Sequence, residues 1–386
     1  MTQTNETVHK LEKPTHHFSY LTAADGSFLS LDEAGNCRTV TYADDSVIWD
    51  KVAAGFKHAA SGKMADIKGN TEGTCEIELG GETRQFQVEH GPEKLPSEYL
   101  EHFFEHGWVC LTCVLPDEVV EGLEQIAGTD RHADLKFNRK IPTLSQNPAV
   151  ARTAAEPLSL WLMRQYMGTN EVRLGHPPSL AILNKDDGER NVQGWHSDFP
   201  YLWGFDSYGG DERFGRVPTP SGQTVLGIQR NVCISDFSRE RGATAFKLGS
   251  SKHDQGPPVE WGLGGRHHRP GYRAKHGLPY HGPDADILEA PGGSIILYDS
   301  RTWHRQGVNQ TDNVRSAMLQ AMVPGYVMPF FDTSQPYKHF LKSEAYTQVN
   351  ERERQEIANL MIHHIVGPMG KHAITIDEEL SEHLND

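Results

Sequence analysis

The sequence predicts an α+β protein whose main body is built from β-strands. Residues 15–90 alternate polar and apolar side chains between turn signals, which indicates short antiparallel strands. Helical spacing of apolar residues follows between residues 96 and 168, and strand-like patterns then dominate from about 172 to 328. Helices followed by many antiparallel-looking strands are typical of a sandwich or barrel with flanking helices.

The N-terminal residues 1–92 are expected to form a small antiparallel β module of their own. The stretch CEIELGGETRQFQV predicts a hairpin that turns at Gly80-Gly81. The composition changes near HGPEKLPSEY, so the second domain is placed at residues 93–386. Since the module shows no cluster of titratable residues, its expected role is packing, support of a lid or formation of a homo-oligomer.

Helix boundaries in the second domain are marked by proline, acidic residues and glycine. Three helices are predicted between Pro96 and Gly107, between Asp117 and Gly128, and in PLSLWLMRQYMG up to Gly168. A last amphipathic helix is predicted over ERERQEIANLMIHHIVG, residues 351–367. Two long Gly/Pro-rich loops, at 203–222 and 254–284, interrupt the strands, and the first is a candidate lid over a site.

Composition excludes several classes of partner. The 386 residues carry a formal net charge of −15, which disfavours nucleic acid and anionic membrane as partners. No apolar run approaches the roughly 20 residues of a membrane span, and the polar start of the chain lacks an apolar signal core. A cytoplasmic protein with a small-molecule substrate is the resulting expectation. The five cysteines are an odd, sparse set, which argues against a disulfide framework, and the CxxC at Cys110 and Cys113 is interpreted as two core residues.

The stretch GWHSDFPY, residues 194–201, contains a candidate metal site. On a strand, His196 and Asp198 would point to one face because the side-chain period is two. Imidazole and carboxylate together suit a first-row cation such as Fe(II), Zn(II), Mn(II) or Co(II). The HxD pair alone is weak evidence for a metal site, because a chain with 21 His can contain such a pair by chance. Whether the aromatic residues around it face a substrate or the core is open from sequence alone.

A third ligand and an anion-binding residue are predicted downstream, in PGGSIILYDSRTWHRQGVNQTDNVRSAMLQAMV. His304 follows a predicted strand, and Arg315 begins the next strand eleven residues later. Two His and one carboxylate on one face of a metal form the facial triad of non-heme Fe(II) oxygenases. A guanidinium binds a carboxylate through two parallel hydrogen bonds, so Arg315 could hold the distal carboxylate of a 2-oxo acid.

These motifs, in this order and spacing, resemble the phytanoyl-CoA dioxygenase family of Fe(II)/2-oxoglutarate-dependent oxygenases. The resemblance spans about residues 97–330 and includes SEYLEHFFEHGWVCLTCVLPDEVVEGL, LAILNKDDG, GWHSDFPY, RGATAFKLGSSK and PGGSIILYDSRTWH. It implies a double-stranded β-helix (jelly-roll, cupin-like) core. It also implies that His196, Asp198 and His304 bind iron and that Arg315 binds 2-oxoglutarate, with Lys185 and Gln193 as further candidate contacts.

The function implied by the resemblance is oxidation of a C–H bond, with hydroxylation as the expected outcome, by Fe(II), 2-oxoglutarate and O2. Succinate and CO2 would be released, and the substrate would be a small molecule, such as an intermediate of secondary metabolism. Asp198 argues against halogenation, because the halogenating relatives have a small residue at that position. Two alternatives stay open: a cupin-like Zn or Mn enzyme with lyase or isomerase chemistry, and a non-catalytic jelly-roll binding protein.

Overall fold

The fold is described from a computed structural model of the chain. The structure describes residues 5–71, 73–190, 192–205, 216–258, 261, 272–278, 282–361, 364–368 and 370–373. Its strands, in chain order, are β1 Glu6–Lys10, β2 Ser19–Thr22, β3 Phe28–Leu31, β4 Cys37–Val40, β5 Trp49–Val52, β6 Gly55–His58, β7 Ile67–Thr71, β8 Thr74–Leu79, β9 Glu82–His90, β10 Trp108–Leu111, β11 Val172–Leu174, β12 Ser179–Leu183, β13 Ile228–Cys233, β14 Ala245–Lys247, β15 Ala285–Glu289, β16 Ile295–Asp299, β17 Trp303–Arg305, β18 Arg315–Pro324, β19 His364–Gly367 and β20 Gly370–Ala373.

Along the described part of the sequence, four α-helices lie between residues 96 and 167, one lies at 272–276, and three lie between 334 and 361. They are α1 Pro96–His106, α2 Asp117–Ala127, α3 Pro148–Ala154, α4 Pro157–Met167, α5 Tyr272–His276, α6 Ser334–Leu341, α7 Glu344–Thr347 and α8 Glu351–Met361. Helices α1, α2 and α4 end at Gly107, Gly128 and Gly168, each in the left-handed backbone region. These ends confirm the glycine stop signals read from the sequence.

Residues 19–90 form an antiparallel sheet. Its strand order is β4-β3-β2-β9-β8-β7, and β5 pairs with both β2 and β6. The predicted hairpin is present, because Leu79 of β8 pairs with Glu82 of β9 across Gly80 and Gly81. Trp49, Phe56 and Phe86 are buried in the core of this sheet.

A six-stranded sheet lies at the centre of the rest of the chain. Its order is β10-β16-β13-β18-β11, and β12 also pairs with β18. Side chains alternate along β13: Ile228 and Val232 belong to the core shared with the helices, whereas Gln229 and Asn231 face a cavity. Burial of one such aliphatic side chain contributes about 1.5–3 kcal/mol, so the helices are held on this face mainly by apolar contact.

A second sheet, in the order β1-β15-β14-β17, lies opposite the first. An apolar cluster joins Cys233, Ile296 and Ala317 of the six-stranded sheet to Phe246 and Ile287 of this one. Strand β1 pairs in parallel with β15, from Glu6 opposite Ala285 to Lys10 opposite Glu289. The first strand of the chain therefore belongs to the sheet that contains β17, not to the sheet of residues 19–90. The fold is mostly β with flanking helices, as the sequence predicts.

The predicted C-terminal helix is shorter than expected. Helix α8 ends at Met361, and residues 364–367, which were assigned to the same helix, form β19 and pair with β20. The apolar face of α8 is completed by Ile357, Leu360 and Met361, all buried. The described helix therefore already buries its apolar stripe, and the β-branched Ile365-Val366 that follows suits a strand.

Among the described residues, no helix is both long enough and apolar enough to cross a lipid bilayer.

Candidate metal centre

His196 and His304 are held side by side by their own backbones. The amide of each residue donates to the carbonyl of the other, at 3.0 Å in both directions. His304 lies in β17. Residues 194–201, in contrast, form an irregular segment whose backbone pairs with β17 through one isolated bridge, at His196. The expectation that GWHSDFPY lies on a regular strand is therefore wrong. The side chains of His196 and Asp198 nevertheless lie close together, as a strand would have placed them.

The side chains of His196, Asp198 and His304 converge. One potential ligand atom from each lies within 4.8 Å of the others, and they are the one such trio of His, Cys, Asp or Glu found in the described residues. Asp198 Oδ1 is 3.9 Å from His196 Nε2, and Asp198 Oδ2 is 3.2 Å from His304 Nε2. The trio predicted from spacing is thus assembled from two segments more than 100 residues apart.

Backbone carbonyls fix the orientation of both imidazoles. His196 Nδ1 is 2.7 Å from the carbonyl of Gly194, and His304 Nδ1 is 3.0 Å from that of Thr302. Because a carbonyl only accepts, each Nδ1 carries the proton and donates it. Each Nε2 is then a lone-pair donor that faces Asp198. Burial, and then the neighbouring His304, lower the pKa of His196 to about 4, which favours the unprotonated form that a metal needs.

Tyr298 supports the carboxylate of the trio. Its hydroxyl donates to Asp198 Oδ2 at 2.9 Å. Burial, and then the charge of Asp198, raise the pKa of Tyr298 well above its ordinary value, so the phenol stays protonated and remains a donor. The sequence analysis missed Tyr298. Its contact depends on how β16 sits beside β13 and on the path of residues 194–201, which no local pattern reveals.

Arg315 lies at the start of β18, where the sequence predicts it, and is buried. Its Nη2 donates to the carbonyl of Gly242 at 3.2 Å, and its guanidinium lies 4.8 Å from the ring centre of Phe237. Its Nε has no hydrogen-bond partner among the described residues. Burial lowers the pKa of Arg315 to about 10, so it is still a cation at neutral pH.

A cavity of about 900 Å³ contains all four groups on its wall. His196, Asp198 and His304 line it together with Arg315, and Leu319 and Ala321 continue the face of β18 beyond Arg315. The small Ala321 leaves room where a larger residue would fill the space. The buried guanidinium of Arg315 on this cavity wall offers hydrogen-bond donors to an anion that enters the cavity.

The donor set fits a divalent iron ion and an acidic cosubstrate. Two imidazoles and one carboxylate are the ligand types that Fe(II) takes in a facial triad, and one ligand atom from each lies within 4.8 Å of the others. Arg315 on the same wall supplies the cation that a distant carboxylate of 2-oxoglutarate requires. The residues present therefore match both groups that the motifs imply.

The two further candidate contacts differ in position. Gln193 lines the cavity, and its backbone carbonyl accepts from the amide of Gln306 at 3.1 Å. Lys185 does not lie among the cavity-lining residues. Its ammonium donates to Asp312 at 2.7 Å, and its side chain is 55% exposed. The structure thus brings Gln193 to the site and leaves Lys185 in a surface ion pair.

The aromatic residues near the HxD motif separate into two groups. Phe199 lines the cavity, with its ring centre 5.3 Å from that of Phe330. Trp195 and Tyr201 are fully buried and pack away from it. Tyr201 accepts from the amide of Leu226, and Trp195 stacks against the guanidinium of Arg305. Of these three aromatics, Phe199 is the one placed to meet a substrate.

The two loops singled out in the sequence lie partly outside the described residues. Of the candidate lid at 203–222, residues 206–215 are outside, and of the loop at 254–284, residues 259–260, 262–271 and 279–281 are outside. Arg273, from the described part of the loop at 254–284, forms a two-pronged ion pair with Asp186 at 2.5 and 2.6 Å. That arginine therefore serves to attach its segment to the chain near 186.

The mouth of the cavity includes residues that the sequence analysis did not select. They come from two segments and are Phe137, Arg139, Lys140, Ile141, Phe330 and Phe331. Interleaved basic and apolar residues in LKFNRKIP were a signal available from sequence. This pattern indicates a binding surface only once the fold places the segment next to the cavity.

The model of a family described as phytanoyl-CoA dioxygenase (PhyH) matches residues 103–317, which is more than half of the chain. The matched range includes His196, Asp198, His304 and Arg315. No curated protein matches the chain.

Two of the solved structures that match this chain are those of HygX and SnoN. HygX from Streptomyces hygroscopicus, with nickel and 2-oxoglutarate bound, has 18% identity and a TM-score of 0.43, over 61% of this chain and 89% of its own. The non-heme α-ketoglutarate-dependent epimerase SnoN from nogalamycin biosynthesis has 18% identity and a TM-score of 0.39, over 60% and 81%. Similarity at this level does not indicate a shared substrate or reaction.

Proposed function

This chain belongs to the phytanoyl-CoA dioxygenase family and is an Fe(II)- and 2-oxoglutarate-dependent enzyme, and we propose that it hydroxylates a C–H bond of a small molecule. The observation that carries the proposal is the position of Arg315. A buried cation with an unsatisfied Nε lines the same cavity as a His-Asp-His trio. The cavity thereby offers a metal-binding end and a carboxylate-binding end for one bridging cosubstrate.

In the proposed site, His196, Asp198 and His304 bind the iron. The carbonyls of Gly194 and Thr302 keep the two Nε2 atoms aimed at it, and the Tyr298 hydroxyl holds one carboxylate oxygen of Asp198. Partners of this kind orient the ligands and strengthen metal binding. When bound, iron with 2-oxoglutarate and O2 supplies the oxidising power for C–H cleavage, with release of succinate and CO2.

The remaining wall binds and orients the organic molecules. Arg315 pairs with the distal carboxylate of 2-oxoglutarate through its guanidinium fork. Phe199 and Gln193 lie on the cavity wall close to the trio in sequence, so they are placed to contact the substrate. Asp198 occupies the carboxylate position of the triad, which supports oxygenation in preference to halogenation. The protein's contribution is to decide which C–H bond lies closest to the metal.

We also propose how the chain is divided. The two facing sheets support a double-stranded β-helix for the catalytic domain, residues 93–386. Residues 1–92 form the N-terminal module, except that β1 adds to the catalytic domain's second sheet. We propose that the chain forms a homo-oligomer through the N-terminal module. The proposed kind of substrate is a natural-product intermediate.

The test is metal-dependent turnover of 2-oxoglutarate. The purified chain would be stripped of metal, reloaded without oxygen with Fe(II), Zn(II) or Mn(II), and assayed for succinate and O2 consumption. The proposal is supported if succinate forms with Fe(II) but not with Zn(II) or Mn(II), and if His196→Ala and Asp198→Ala each abolish this turnover. Full succinate production by either variant, or activity with Zn(II) or Mn(II) that requires no O2, contradicts it. Mass analysis of a substrate panel then separates hydroxylation, a gain of one oxygen, from desaturation, a loss of two hydrogens.

A further inference from the structure

We propose, on the basis of the proposed function, that the substrate is an anion with an aromatic or similarly flat apolar body. Arg139 and Lys140 would bind its negative group at the mouth of the cavity, and Phe330 and Phe331 would bind its apolar body. All four residues line the cavity that contains the metal ligands. Arg139 and Lys140 precede the turn at Thr143–Ser145, which contacts helix α6, and Phe330 and Phe331 directly precede that helix.

An aromatic wall leads from the metal ligands to solvent. Phe199 follows Asp198 directly, and its ring centre is 5.3 Å from that of Phe330. The ring of Phe330 is in turn 4.7 Å from that of Phe331, edge to face. The wall depends on Gly175, because a Cβ at that position would lie 3.0 Å from two ring atoms of Phe199.

The outer part of this wall is exposed but held in place. Phe330 is 53% and Phe331 58% exposed, although both are large aromatic residues. Their backbone amides both donate to the carbonyl of Gly175, at 2.6 and 3.0 Å. Adjacent aromatic side chains left exposed at a cavity mouth are typical of a ligand-binding surface. A flat apolar group would cover both rings and bury them.

The charge at the mouth is opposite to that of the whole chain. Although the net charge is −15, Asp198 is the one carboxylate among the described residues that line the cavity. Arg139 and Lys140 lie at its outer end, in a segment held by Gln146. The Gln146 side-chain amide donates to the carbonyls of Asn138 and Ile141, at 2.9 and 2.8 Å. Two exposed cations on a segment whose backbone is held in place attract and orient an anion, although the protein as a whole is acidic.

The cosubstrate does not account for these two cations. In the proposed function, 2-oxoglutarate uses the metal and Arg315, which is buried in the cavity wall. A divalent metal and a dianionic cosubstrate cancel in formal charge, as do Asp198 and Arg315, and Arg305 on the cavity wall is paired with Glu6 at 2.6 Å. The positive charge of Arg139 and Lys140 is therefore left for the other molecule that enters, which is the substrate.

Two dyes that differ by one charge test the inference without any turnover. Anilinonaphthalene sulfonate is an aromatic anion, and phenylnaphthylamine has the same rings without the sulfonate. Fluorescence titration of the full chain, with and without Ni(II) and 2-oxoglutarate, would give the affinity for each. We expect Arg139→Gln/Lys140→Gln to weaken binding of the anion about tenfold and to leave the neutral dye unchanged. Phe331→Ala should weaken binding of both dyes.

The matched control is Lys136→Gln, which removes an exposed charge from the same segment at a residue that does not line the cavity. Equal losses for the two dyes in the double variant, or the same loss in Lys136→Gln, would overturn the inference. The inference would also be overturned by a different pattern of binding. In that pattern the chain cosediments with anionic lipid vesicles in a way that depends on Phe331, while the affinity for neither dye changes in Arg139→Gln/Lys140→Gln. Since dye binding requires no succinate production, its failure is distinct from failure of the proposed reaction.

Discussion

His196 and His304 exchange two backbone hydrogen bonds, so the two imidazoles of the metal centre are fixed by main-chain geometry. The two residues come from an irregular segment and from the short strand β17. Their ring centres lie 4.3 Å apart, and both Nδ1 atoms are held by carbonyls. The side chains thus need little rearrangement to bind one ion, which lowers the entropic cost of metal binding.

Tyr298→Phe is expected to weaken metal binding while the fold is retained. The variant removes the Tyr298 hydroxyl that donates to Asp198 Oδ2, and loss of such a partner lowers metal affinity by about tenfold or more. Titration with Co(II) or Ni(II) would measure the change. Tyr201→Phe is the control, because its hydroxyl contacts Thr224 and Leu226 instead of a ligand. Unchanged affinity in Tyr298→Phe would contradict the role given to this tyrosine.

Arg315→Lys is expected to raise the KM for 2-oxoglutarate by about tenfold, with a smaller effect on kcat at saturation. Lysine keeps the charge but lacks the planar fork that binds a carboxylate twice. Arg315→Leu, which also removes the charge, should raise the KM further. Steady-state kinetics with varied 2-oxoglutarate would show this order. Equal KM values for Arg315→Lys and the wild type would mean that the cosubstrate carboxylate binds elsewhere.

Glu6→Gln is expected to lower stability in a pH-dependent way. Glu6 of β1 forms ion pairs at 2.6 Å with Arg305, next to a metal ligand, and with Arg239. Although burial alone would raise it, hydrogen bonds from these two arginines lower the pKa of Glu6 below its ordinary value. A carboxyl with a lowered folded-state pKa contributes stability above its unfolded pKa and loses it as the pH falls through the folded value.

The wild type should therefore exceed Glu6→Gln in free energy of unfolding at pH 7, by on the order of 1 kcal/mol. The difference should be fully present above the ordinary Glu pKa of about 4.3 and should shrink in more acidic solution. Urea unfolding of both proteins at neutral and acidic pH would measure it. A difference that stays constant down to acidic pH would exclude the ion pairs as its cause.

Gly307→Ala is expected to destabilise the protein by about 1–3 kcal/mol through overpacking. A Cβ on Gly307 would lie 2.3 Å from the carbonyl oxygen of Ala243 and 2.6 Å from the backbone of Gly242, whose carbonyl accepts from Arg315. Thermal unfolding would show the loss. Gly188→Ala is a useful comparison, since nothing lies within 4 Å of its added Cβ and only backbone strain is introduced. Equal stability of Gly307→Ala and the wild type would contradict this packing.

The three candidate metal ligands, which the structure brings together, could be named from the sequence because the HxD spacing is local and the order of the surrounding motifs pointed to His304. His196 and Asp198 are two residues apart, and Arg315 begins a strand eleven residues after His304. Glycine stop signals likewise predicted the ends of α1, α2 and α4, because a left-handed C-terminal residue is a local requirement.

Features that depend on long-range pairing could not be predicted. Tyr298 reaches Asp198 across 100 residues of sequence, and β1 pairs with β15 more than 270 residues away. Lys185 was a candidate contact from its position before the HxD motif, but its side chain pairs with Asp312 at the surface. In each case, the outcome depends on which segments meet in space, which periodicity does not encode.

The most direct test of the central claim is an anaerobic titration of the Fe(II)-loaded chain with 2-oxoglutarate. A visible charge-transfer band should develop with one equivalent of 2-oxoglutarate. His304→Ala should abolish the band, and Arg315→Lys should shift its formation to higher concentrations of 2-oxoglutarate. A band of wild-type intensity and affinity in His304→Ala, or no band in the Fe(II)-loaded wild type, would mean that these residues do not form the iron and 2-oxoglutarate site.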